Sequence, residues 1–139
     1  MRKRYPFDYA LVRVVPRVDR GEFLNAGVIL FSSTAAFLGA RIGCDHKRLK
    51  ALAPGIDIAM IDTYLDSIPK VCAGTADAGP IGSLAQRARF HWLVAPRSTI
   101  IQTSPVHTGF CEDGDRMLEH LFGTMVRRPS ERMKDEVKA

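Results

Sequence analysis

Two groups of polar side chains in this chain are of the kinds that hold or transform anions. The first lies in the run from Arg13 to Asn25 and contains Arg13, Arg17, Arg20, Glu22 and Asn25. Arginine offers a planar fork that binds phosphate or carboxylate through paired hydrogen bonds. Asn25 adds a directed amide, and Glu22 either fixes one guanidinium or serves as a base. The second group is His91, Arg97, Ser98, Thr99, His107 and Thr108. Histidine titrates near neutrality, which suits acid/base work or metal ligation, and Ser98 or Thr108 is of a type that acts as nucleophile.

Spacing assigns no catalytic role to any of them. The chain has no His-Glu-x-x-His, no Gly-x-Ser-x-Gly and no phosphate-binding Gly-rich loop ending in Lys-Ser/Thr. Its histidines, His46, His91, His107 and His120, lack neighbouring carboxylates at ligand spacing, so no metal and no cofactor is expected. The first group also has a purely structural reading, with Glu22 paired to Arg20 or Arg17 and Asn25 tying the turn backbone. Both readings stay open in sequence. If a sheet brings the two groups to one edge they form a single concave polar site, and a Glu22 to His107 separation above about 15 Å rules that out.

The elements that must position these groups follow from hydrophobic period. Residues 7–15, 24–31 and 36–42 alternate or run apolar as strands, with Pro16 ending the first ladder and Gly27 marking a bulge or a close approach. Ala26, Val28 and Leu30 fall on one face of the second strand. Asp45 caps a short helix bearing Lys47, Arg48 and Lys50, which Pro54-Gly55 stops. A longer helix is predicted from Asp57 to Ile68, where Pro69 kinks or ends it, followed by a loop over 71–80. A short helix is predicted over 81–88. Residues 90–95 alternate as a strand with Trp92 buried, and 99–103 pairs with it; 104–109 is read as a polar connection. Asp113 or Asp115 caps a last helix with the stripe Met117, Leu118, Leu121, Phe122 and Met125. The fold class predicted is α+β, a mostly antiparallel sheet of about five strands with two main helices on it. Residues 1–128 form one domain and 129–139 a frayed tail.

Composition narrows the function classes. At 46% apolar and 25% charged over 139 residues the chain is of globular type and long enough for one core. Its apolar runs are too short for a spanning helix, and the basic N-terminus leads into no apolar leader, so the cytoplasm is expected. Cys44, Cys72 and Cys111 are odd in number and widely spaced, which fits free thiols in a reducing compartment. The net charge of +5 sits in the first fifty residues, which hold ten Lys or Arg against four Asp or Glu. Such a field favours anionic partners. Nucleic acid is one of them, through Arg2, Lys3, Arg4 and the arginine run with Tyr5, Phe7 and Tyr9 as stacking groups, although no known recognition motif is present.

The runs Tyr9 to Leu30, Phe90 to Thr99 and Ser104 to Gly109 together resemble a bacterial family of small proteins known only as a domain of unknown function, DUF3037, over about residues 5–128. The resemblance implies no activity and no site residues. It implies a partner by association alone, since some members are encoded beside kinases resembling the toxin kinase of bacterial persistence modules. The function expected is an accessory or interaction protein whose arginine-rich polar site takes an anionic group or partner. The alternative is a small enzyme acting on a phosphorylated substrate or nucleic acid, with Glu22 or His107 as acid/base.

Overall fold

A computed structural model describes residues 3–127; the expectation of a frayed tail over 129–139 lies outside them. Five antiparallel strands form one sheet: β1 (Tyr5–Val14), β2 (Leu24–Ser32), β3 (Phe37–Ile42), β4 (Ile101–Thr103) and β5 (His107–Cys111). The order is β3-β2-β1, and the far edge of β1 is shared. β5 borders its first half, Tyr5–Tyr9, and β4 its second, Val12–Val14. The helices are α1 (His46–Leu52), α2 (Ile58–Ala73), α3 (Gln86–Val94) and α4 (Gly114–Met125), with two 3₁₀ turns at Ala76–Ala78 and Pro80–Ser83. Among the described residues no helix is long and apolar enough to cross a membrane, and all three cysteines are free.

Both faces of the sheet are buried, which explains the nearly unbroken apolar character of β1 and β2. One core joins Val12, Val14, Ile29 and Phe31 to Leu49, to Ile61, Leu65 and Ile68 of α2, and to Phe90 and Leu93 of α3. The other joins Phe7, Val28 and Leu30 to Leu118, Leu121 and Phe122 of α4. The register shift between Val12 and Arg13 leaves Ala26 as the extra residue of a β-bulge. Ala26 therefore turns to the α2 core while Val28 and Leu30 face α4, which corrects the single face predicted for the three. Gly27 is required beside it, because a Cβ there would meet Ile42 Cδ1 at 2.5 Å and the Arg41 carbonyl at 2.9 Å.

The segment 90–95 is not a strand. Phe90 and Leu93, three apart, bury one face of α3, and the good helix formers from Gln86 to Arg89 precede them. The alternation of Phe90, Trp92 and Val94 was accidental in period, and Trp92 is 43% exposed. β4 consequently pairs with β1, and much of the predicted connection 104–109 is β5. Pro69 lies inside α2, which runs on to Ala73. Its lost hydrogen bond is offset because Ile61, Leu65, Ile68 and Cys72 carry one buried stripe past it. Gly74, at φ 70°, closes the helix in the left-handed conformation.

Candidate functional site

The rim of the sheet between β1 and β2 carries the first predicted group. Val15 is extended and Pro16 supplies no ladder donor, so the chain leaves the sheet; the Arg20 N–H donates to the Arg17 carbonyl at 3.1 Å and Gly21 turns the chain at φ 71°. This turn faces the end of α1. Pro16, Arg17, Arg20 and Glu22 on one side and Leu52, Ala53 and Pro54 on the other enclose a cleft of about 360 Å³. Arg20 donates to the Glu22 carboxylate, an exposed pair. Arg17 is exposed and has no ion-pair partner among the described residues. The cleft thus holds one neutralised and one uncommitted guanidinium.

Arg13 and Asn25 lie outside that cleft, facing each other across β1 and β2 at the bulge. The Arg13 guanidinium stacks 4.1 Å from the centre of the Phe23 ring, while its Nε is buried with no hydrogen-bond partner among the described residues. Asn25 Nδ2 donates to the Met125 carbonyl at 3.2 Å, tying β2 to the last turn of α4, and its Oδ1 is buried with no hydrogen-bond partner among the described residues. These two side chains brace the strand entrance.

The second group is dispersed. Arg97 donates to the Leu93 carbonyl at 3.0 Å and to the Trp92 carbonyl, closing the C-terminal end of α3, and stacks 4.6 Å over the Trp92 ring. Thr99 Oγ1 donates to the Ile101 carbonyl at 2.8 Å. His91 is exposed on α3, its ring 6.3 Å from that of Phe90. His107 and Thr108 are exposed on β5 opposite Tyr9 and Asp8, with the His107 and Tyr9 rings 5.4 Å apart. Tyr9 and Val14 are separated by roughly 16 Å of extended strand, and Glu22 lies beyond the Val14 end. His107 and Thr108 thus lie at the opposite end of β1 from Glu22, and none of the second group lines the rim cleft. Sequence reading missed the cleft's second wall, Leu52 to Pro54, because nothing in a helix C-terminus announces which turn it will face.

A family model described as a protein of unknown function, DUF3037, matches residues 9–126. The chain belongs to this family. Its match runs from within β1 to the end of α4, and so includes both the rim cleft and the elements that carry the dispersed group. No curated protein and no solved structure matches the chain.

Proposed function

We propose that this DUF3037 protein is an accessory or interaction protein whose rim cleft receives an anionic group, borne by a small molecule or by a partner protein. The observation that supports this is Arg17, an exposed guanidinium without an ion-pair partner among the described residues, on the wall of a concave site. Its neighbour Arg20 adds donors of which Glu22 takes a part. An uncommitted arginine at a concavity concentrates anions and presents a fork to phosphate or carboxylate. The surplus of positive charge in the first fifty residues extends the attraction beyond the cleft.

Titration of inorganic phosphate and of a phosphoserine peptide, followed by calorimetry and amide shifts, tests it. Binding is expected in the turn 16–22 and at 52–54, weakened at least about tenfold by Arg17→Ala. Equal binding by the variant, or shifts confined to other regions, defeats the reading. The enzyme alternative keeps the same cleft and uses Glu22 as base, since Glu22 alone of the named acid/base candidates lines it. Phosphate release from a phosphorylated substrate that disappears in Glu22→Gln while phosphate binding persists would favour it.

A further inference from the structure

A second cleft, of about 390 Å³, opens where α2, α3 and β4 meet, and it shares no lining residue with the rim cleft. Tyr64 and Ile68 of α2, Trp92 of α3, and Ile101, Gln102 and Thr103 of β4 line it. Successive side chains of a strand point to opposite faces, so a cleft touching three in a row runs along the strand's outer edge. That edge is free: β4 pairs with β1, and no strand lies beyond it among the described residues. The Val15 N–H donates to the Ile100 carbonyl at 2.7 Å, and the Ser104 N–H donates to the Leu11 carbonyl at 2.9 Å. Residues 100, 102 and 104 therefore turn their ladder groups toward β1. By the antiparallel alternation, the N–H and C=O of Ile101 and Thr103 point away from β1 toward the cleft, where the Ile101 carbonyl already accepts from Thr99 Oγ1 at 2.8 Å.

Charge complementarity then selects the occupant. Arg97 is the charged side chain of this groove, and its guanidinium is committed to the Leu93 and Trp92 carbonyls and the Trp92 ring. Four other polar side chains donate back into their own walls: Ser67 to the Tyr64 carbonyl at 2.6 Å, Thr99 to the Ile101 carbonyl at 2.8 Å, Gln102 to the Thr99 carbonyl at 2.9 Å, and Thr103 to the Val94 carbonyl at 3.4 Å. Carbonyls and a ring do not neutralise the guanidinium and no carboxylate among the described residues lines the groove, so the lining disfavours a basic ligand. What remains is apolar surface, two rings half in water (Tyr64 49% and Trp92 43% exposed), and backbone groups aimed outward.

We propose that this groove binds an extended, apolar peptide segment of a partner, free of basic residues, which adds as a strand to the outer edge of β4 and seats an apolar side chain against Tyr64 and Trp92. The site is separate from the rim cleft, so neither reading depends on the other. Trp92 is the single tryptophan of the chain, and its emission reports on the groove directly. A library of end-blocked, uncharged octapeptides is screened by that emission, and the best binder is remade with backbone N-methyl groups at alternate residues. The expected result is a blue shift with slowed amide exchange at Ile101 and Thr103, and a loss of at least about tenfold in affinity on N-methylation. Tyr64→Ala is expected to weaken binding with the melting temperature unchanged. The proposal is overturned if no library member moves the emission. It is overturned equally if the N-methylated peptide binds as well as its parent, which would make the groove a small-ligand site, or if the shift appears without peptide as the chain doubles in mass, which would give the groove to a second copy.

Discussion

At the rim cleft Arg17 faces solvent without an ion-pair partner among the described residues and Arg20 turns to an exposed carboxylate, while at the β4 groove Arg97, Ser67, Gln102 and Thr103 all donate into backbone carbonyls of the walls that carry them. The first is built from a turn leaning on a helix end, the second from two helices and a strand that also enclose the main core. Polar side chains at the cleft can change without touching the fold. Those at the groove hold the fold, and what the groove presents outward is apolar surface and backbone. An arginine seen in sequence is therefore not yet an anion site; where its donors go decides.

The strongest test of that contrast removes the helix wall from beneath. Leu65 of α2 is 1% exposed within the core that supports the groove. Leu65→Ala is expected to cost about 2–5 kcal/mol in urea unfolding, as large-to-small core changes do, and to disrupt the groove while any folded fraction keeps its rim cleft. A loss under about 1 kcal/mol would show that the groove is not braced by this core.

A smaller effect follows from pH. Burial pushes the Cys72 thiol of α2 up to about 12, against the lowering influence of Arg89. Partial burial, with the Asp62 and Asp45 carboxylates beside it, pushes Cys44 up to about 11. Both folded values lie above the unfolded one near 9, so the fold prefers the protonated thiols. Their contribution is complete below pH 9 and is lost as pH rises through the window from about 9 to about 11 or 12. The urea midpoint should fall between pH 9 and 11, less steeply in Cys72→Ala than in the parent. Identical slopes in the two proteins would contradict burial of Cys72 as the cause.

Smaller again is Arg97→Ala, which leaves two α3 carbonyls without their charged donor and is expected to lower stability by about 1–2 kcal/mol with phosphate binding unchanged. Loss of phosphate binding with stability intact would reverse the roles of the two regions. Least of all is the effect of Arg17→Ala on stability, expected within about 0.5 kcal/mol by thermal melting because the side chain is exposed and has no ion-pair partner among the described residues. A clear drop in melting temperature would make Arg17 a brace.

How much of this was legible in the chain depends on which forces act locally. β1 to β3, α1 and α4 follow from apolar period and capping carboxylates, with Asp45 and Asp113 accepting from Arg48 and Arg116 as the sequence predicts. α3 was misread because Phe90, Trp92 and Val94 alternate, whereas the packing that decides is Phe90 with Leu93. β5 was missed because Pro105 and Gly109 punctuate the segment as a turn would, whereas its conformation comes from pairing with β1. Arg17, Arg20 and Glu22 could be named as a cluster, but their separation from His107 is set by the length of β1, a property of register.

β1 is flanked by β2, which follows it directly, and by β4 and β5, the first of which begins at Ile101, roughly 90 residues after β1 ends at Val14. During synthesis its second edge stays open while those residues are made, on the order of 4–18 seconds at about 5–20 residues per second. Through that interval β1 presents unpaired backbone beside apolar side chains such as Phe7, Ala10 and Val12, the pattern that recruits other strands. Once residues 101–111 emerge, two short strands cover in pieces what one long neighbour would have covered at once. The nascent chain is thus most exposed to mispairing after β1 to β3 have formed, and its yield should respond to the speed of translation across α2 and α3 more than to the stability of the finished fold.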